Sequence, residues 1–166
     1  MNRILAASLL LIIAVSGFAQ SAYTAAGLYK YSSPVGYARN DGRVPKGRVG
    51  FFATPKGGYS ANVMITTASS GNYNASGIGN ETVAYLKKND KAVSDVVGAP
   101  TKLGGKAAYS IKSLRKLPNG MVVKQEQVIG VHKGTAVILT FSSLKASFPT
   151  ENTKFGNSLK SWTWLN

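Results

Sequence analysis

The chain has 166 residues, with 20 Lys or Arg against six Asp or Glu, one His and no Cys, for a formal charge of +14. The missing cysteine excludes disulfides, thiolate metal sites and a cysteine-linked lipid. A single His and six scattered acids leave few routes to hydrolytic or metal-assisted chemistry, while the basic excess points to anionic partners.

Residues 1–19 read as a secretory signal peptide. Asn2 and Arg3 form a basic head, and Ile4 to Val15 is an apolar run short of the roughly 20 residues a spanning helix needs. Gly17 and Ala19 place cleavage before Gln20. No later stretch is long and apolar enough to cross a membrane. The protein is therefore expected to be exported, to a periplasm or the extracellular space. Loss of Arg3 leaves 19 basic and six acidic residues, a charge of +13. Residues 20–27 are small and polar and read as a mobile tail. Residues 28–166 suffice for one domain.

Leu28 to Tyr31 starts a strand, Ser32-Ser33-Pro34 breaks it, and Val35 to Ala38 resumes it. Asn40-Asp41-Gly42 is a turn, and Arg43 to Gly47 an exposed loop. Val49 to Ala53 and Ala61 to Ala68 are strands on either side of a turn at Pro55-Lys56-Gly57-Gly58. Ser69 to Gly79 is a Gly/Ser/Asn loop in which Tyr73 could serve as a stacking platform for a sugar. Asn74-Ala75-Ser76 and Asn80-Glu81-Thr82 match the glycosylation acceptor pattern, which carries meaning only in a host that uses it. Asn80 is positioned to cap a helix carrying Val83, Leu86 and Val93 on one side. Either one helix runs from Glu81 to Val97 or two short ones meet near Asn89.

Lys106 to Lys116 reads as a strand, Leu117-Pro118-Asn119-Gly120 as a hairpin turn, and Met121 to Val131 as the returning strand, with Gly130 as a bulge. Lys133-Gly134 turns the chain into Thr135 to Ser143. That run is apolar on both of its faces: Ala136 and Ile138 on one, Val137, Leu139 and Phe141 on the other. Such a strand belongs in the middle of a sheet covered on both sides. A helix follows from about Pro149, with Phe155, Leu159 and Trp162 forming an apolar stripe and Gly156 weakening it by about 1 kcal/mol relative to Ala.

No catalytic set assembles from these residues. His132 lies in a turn without a Gly-x-Ser-x-Gly elbow, and Asp41, Glu81, Asp90, Asp95, Glu126 and Glu151 do not pair by spacing. We expect no catalytic residues, no metal and no cofactor. The basic residues cluster instead. Arg39, Arg43, Lys46 and Arg48 crowd one region, and Lys112, Arg115 and Lys116 belong to an acid-free stretch that also holds Lys102, Lys106 and Lys124. These two clusters are the candidate binding residues for an anionic envelope component, such as a lipid head group or glycan, or for an acidic protein. Tyr29, Tyr31 and Tyr37 beside Arg39 could stack bases, but export argues against nucleic acid. The alternative function is an assembly subunit that docks on an envelope complex through the sheet edge or the 69–79 loop.

The run Gly105-Lys106-Ala107-Ala108-Tyr109, the hairpin, Val128-Ile129-Gly130-Val131, Ala136 to Ser142, and then Phe148, Phe155 and Leu159-Lys160-Ser161-Trp162 resembles the C-terminal half of the PsbP-like superfamily. Phe51 and Ala61 to Ile65 resemble its N-terminal sheet strands. The resemblance covers about Leu28 to Trp164. It implies an α+β fold, an antiparallel sheet sandwiched between helices (an α/β/α sandwich). The group includes the extrinsic photosystem II protein and DcrB-type envelope proteins. The chain lacks a matching manganese or calcium ligand set and the cysteine of the lipoprotein members, so neither feature carries over.

Overall fold

The computed structural model describes residues 20–166. The expected signal peptide, 1–19, lies outside the described residues. The centre of the fold is a seven-stranded antiparallel sheet built from β3 (Tyr37–Arg39), β4 (Val49–Ala53), β5 (Asn62–Ser69), β6 (Val93–Leu103), β7 (Lys106–Lys116), β8 (Val122–His132) and β9 (Thr135–Leu144). Its order is β3-β4-β5-β9-β8-β7-β6, which puts β9 in the middle. The doubly apolar run at 135–143 is therefore the central strand, as its two oily faces predict.

Each face of β9 has its own cover. Val137, Leu139 and Phe141 meet Phe148 and Phe155 of helix α2 (Phe148–Leu159), with Phe141 stacked on Phe155 at 4.9 Å between ring centroids. Burial of each such side chain is worth about 1.5–3 kcal/mol. Tyr29 and Tyr31 of β2 (Tyr29–Ser32) and Trp162 extend this core. Ile138, on the other face, packs in a second cluster with Leu86, Ile78 and Val83 of helix α1 (Ala75–Asn89), Tyr109, Ile111 and Ile129. The α+β sandwich is thus the observed architecture.

The cover is uneven. Helix α1 lies over β6, β7 and β8, while α2 packs on β9 and β2. The β4–β5 half of the α1 face is left half-exposed, with Phe52, Asn62, Met64 and Thr66 along it.

Several expectations are corrected. The segment 20–27 is no mobile tail: β1 (Ala22–Ala25) pairs antiparallel with β2, and Ser33 N–H donates to the Ser21 carbonyl. Strand β10 (Thr163–Trp164) pairs with the other edge of β2 and completes a three-stranded layer. An edge strand with unpaired backbone groups recruits whatever extended chain lies beside it. The proposed 69–79 loop is mostly not a loop, since β5 reaches Ser69 and α1 starts at Ala75. Asn74, not Asn80, caps the helix, its Oδ1 accepting the Gly77 N–H at 2.8 Å. The helix ends at Asn89. Asp90 then accepts the Ala92 N–H on its side chain, and the Val-rich run 93–97 goes into β6.

Turn chemistry is closer to expectation. Lys133 and Gly134 both take positive φ, 49° and 69°, the pattern of a two-residue type I′ hairpin between β8 and β9. In the β7–β8 hairpin the Gly120 N–H donates to the Leu117 carbonyl and the Leu117 N–H to the Met121 carbonyl. Pro118 and Asn119 are the central pair, and Gly120 supplies the left-handed residue behind them at φ 83°. Gly130 is not a bulge, for the ladder runs through it in register, Ala108↔Gly130↔Val137. A Cβ there would come within 2.7 Å of the Trp164 ring, so the position is kept bare for an indole. The bulge lies in β6 instead, between Ser94 and Val97, where Asp95 has φ 52°.

Candidate functional site

The sheet order keeps the two basic clusters apart, and each is divided between the faces of the sheet. Arg39 ends β3 and its guanidinium is held by Asp41, with Nε donating to Oδ2 at 2.9 Å. That hydrogen bond raises the Arg39 pKa and holds the Asp41 carboxyl below the usual range. Arg39 also lies over the Tyr23 ring, 4.6 Å from its centroid. Arg43 covers Phe52, and Arg48 donates to Met64 Sδ at 3.6 Å, both on the half-exposed sheet face. Lys46 stands in the exposed connection before β4.

Lys112, Arg115 and Lys116 lie on β7, near the other end of the sheet. Lys112 and Lys116 point to the α2 side. Arg115 points to the α1 side, where Nη2 donates to Asp90 at 2.7 Å and Nε to Gln125 at 3.1 Å. Lys112 pairs loosely with Glu126 at 3.9 Å. The seven candidate residues thus do not form one site. Three of them, Arg39, Lys112 and Arg115, have a carboxylate partner.

What the fold brings together is a different set of lysines. Lys112 of β7, Lys124 of β8 and Lys145 after β9 line one cavity of about 520 Å³ beside the start of α2. Its walls include Val97, Leu114, Phe148 and Pro149, with Asp95 also in the lining. Lys124 Nζ sits 4.8 Å from the Phe148 ring centroid. Lys145 could not have been grouped with Lys112 from the sequence, because only the β7–β8–β9 meander makes them neighbours.

The tyrosine reading is also corrected. Tyr29, Tyr31 and Tyr37 are 1%, 1% and 2% exposed, so they are core rings and no platform for bases. Burial pushes all three phenols well above the usual tyrosine pKa. Tyr31 shares a hydrogen bond with Ser158, and the Tyr37 hydroxyl donates to buried Glu151 at 2.9 Å. Tyr73 is 51% exposed, and a Cβ on Gly77 would lie 3.0 Å from its ring, so it rests on the first turn of α1. The Glu81 carboxylate raises its phenol pKa.

His132 is structural. Its Nε2 lies 2.8 Å from the Leu165 carbonyl, which can only accept, so Nε2 carries the proton and Nδ1 accepts from Lys106 Nζ at 2.9 Å. Among the described residues no three His, Cys, Asp or Glu come together as metal ligands. No helix of the described residues is long and apolar enough to cross a membrane.

An antiparallel sheet with one helix on each face and β9 at its centre makes an α/β/α sandwich. Solved structures bear this out. A cyanobacterial PsbP, CyanoP from Synechocystis, aligns over 91% of this chain and 95% of its own at a TM-score of 0.61 and 13% identity. LpqN, described as involved in cell envelope biogenesis of Mycobacterium tuberculosis, aligns over 83% of both chains at 0.64 and 16%. PA94, a Pseudomonas aeruginosa protein of unknown function, aligns over 86% of this chain and 94% of its own at 0.62 and 14%. At such identities the likeness is one of fold. No family model and no curated protein matches the sequence.

Proposed function

We propose that the protein is a non-catalytic, exported accessory domain that meets an anionic component of the cell envelope through its basic surface. One observation carries this reading. Four of the six acids, Asp41, Asp90, Glu126 and Glu151, are engaged in ion pairs with Arg39, Arg115, Lys112 and Lys154. Of the 19 basic residues after Arg3, that leaves fifteen with no carboxylate partner among the described residues, against Glu81 and Asp95. Internal pairing therefore does not consume the excess, and it stands at the surface as attraction for anions. LpqN, with the same fold, is described as acting in envelope biogenesis, which agrees with an exported role in the periplasm or outside the cell.

The docking-subunit alternative would use the sheet edge or residues 69–79, and no observation favours it over the basic surface. Residues 75–79 of that segment are helix, and the β6 edge is interrupted by a bulge at Asp95 and by Pro100, which has no N–H to donate. The test is co-sedimentation with phosphatidylglycerol vesicles, phosphatidylcholine vesicles, lipopolysaccharide and acidic glycans. Binding to at least one anionic target at low salt is expected, with release as salt rises and the screening length falls from about 10 Å at 0.1 M to about 3 Å at 1 M. No binding to any of them at low salt would end the proposal.

A further inference from the structure

We propose that the cavity between β6–β8 and the start of α2 binds a single anionic amphiphile, its acyl chain on Val97, Leu114 and Phe148 and its phosphate on Lys112, Lys124 and Lys145. This rests on the envelope reading above and names the ligand class of one site within it.

The rim and the floor make opposite demands. Lys112, Lys124 and Lys145 come from three different elements to one opening. Lys124 and Lys145 have no carboxylate partner among the described residues, and Lys112 has only Glu126 at 3.9 Å. Asp95 and Glu126 against three lysines leave the rim positive. Two carboxylates offset only part of that charge, so the three ammoniums still repel, and an anion placed among them relieves the remaining repulsion. The Lys124 ammonium is held near the Phe148 ring, which keeps its charge at the mouth while its stem covers the aromatic wall.

The floor is apolar. Val97 is 64% exposed, a large β-branched side chain on the edge strand with nothing folded over it. Leu114, Phe148 and Pro149 continue that surface. An inorganic anion would satisfy the lysines and leave Val97 and Leu114 wet. A plain hydrocarbon would cover the floor and desolvate the ammoniums without a partner. A molecule with a chain and an anionic head does both. The volume, about 520 Å³, falls within the roughly 300–1,000 Å³ of small-molecule sites.

An acidic peptide fits less well. Peptides that settle beside an edge strand gain affinity by extending the sheet. The β6 edge is broken at this place, because Asp95, in the cavity lining, is the positive-φ residue of the bulge. A lipid head needs no backbone ladder.

The test titrates the purified protein with monomeric lysophosphatidylglycerol, below its micelle concentration, by isothermal calorimetry. Lysophosphatidylcholine and glycerol phosphate separate head charge from chain, and a poly-glutamate peptide represents the other class of ligand. Saturable one-to-one binding is expected, at least about tenfold tighter for lysophosphatidylglycerol than for the other three. The double variant Lys124→Glu/Lys145→Glu and the single variant Val97→Asp should each weaken it by about tenfold or more while melting near the parent temperature. Equal binding of glycerol phosphate would reduce the site to a patch of charge and overturn the proposal. Equal binding of lysophosphatidylcholine or of poly-glutamate, or an unchanged affinity in Val97→Asp, would overturn it as well. If anionic vesicles bind and the monomeric lipid does not, the cavity proposal fails and the accessory-domain reading stands. If neither binds, and lipopolysaccharide and acidic glycans also fail, both fail.

Discussion

Two glycines in helices separate packing from propensity. Gly79 lies within α1 and Gly156 within α2, and replacing either with Ala should gain about 1 kcal/mol of helix propensity. Their surroundings differ. A Cβ on Gly156 would meet nothing within 4 Å. A Cβ on Gly79 would lie 2.2 Å from Cδ1 and 2.4 Å from Cγ of Tyr109, the root of the ring and not a flexible end. The ring cannot retreat, because Gly98 approaches its other atoms (a Cβ there would be 2.6 Å from Cε1) and its hydroxyl donates to Asn80 at 2.8 Å. Overpacking of this kind costs about 1–3 kcal/mol, and the distances place Gly79 at the upper end. The overlap therefore wins over propensity. Gly79→Ala should destabilise by about 2 kcal/mol and Gly156→Ala should stabilise by about 1 kcal/mol. In a domain of this size each kcal/mol moves the melting temperature by about 2–4 °C. Urea unfolding followed by circular dichroism, with thermal melts alongside, reads both. A Gly79→Ala protein as stable as the parent would refute the account of Tyr109 as a ring seated on bare backbone.

The three buried tyrosines make alkali the vulnerable side of the stability curve. Their folded pKa values are raised, so the folded state keeps protons that the unfolded chain gives up above pH of about 10. Stability is complete below that pH and should fall above it, by up to about 1.4 kcal/mol per pH unit for each phenol. Tyrosinate absorbance that rises smoothly for all eight tyrosines, before any unfolding, would contradict this. Glu151, 6% exposed, accepts from Tyr37 and from Lys154 at 3.0 Å. Glu151→Ala should cost about 1–3 kcal/mol because it leaves the Tyr37 hydroxyl without its acceptor, and Glu151→Gln should cost less. Equal losses in denaturant melts would show that the hydrogen bond is not what matters there.

The charge and the central strand are legible in the sequence for local reasons, as is the expectation of export. A basic head with an apolar run, an acid-poor composition and a strand oily on both faces are properties of contiguous residues. So are the Lys133-Gly134 turn and the β7–β8 hairpin, which depend on left-handed backbone at named glycines. The candidate site was legible only as two basic stretches. The sheet order and the strand register scatter those residues over two faces, and Lys112 and Arg115 meet carboxylates 14 and 25 residues away, none of which is visible without the pairing of distant segments.

By itself the sequence determined the excess of cations, the absence of thiol chemistry, and a middle strand that must be covered twice. Only the tertiary structure decided the rest. Residues 22–25 are a strand because β2 offers them an edge. Gly79, Gly98 and Gly130 are bare because Tyr109 and Trp164 arrive from elsewhere in the chain. Lys124 and Lys145 share an opening because the meander folds 145 back beside 112 and 124. Apart from the local β1–β2 hairpin, where Ala25 faces Tyr29, these depend on contacts between residues well separated in sequence, whose partners no local pattern names.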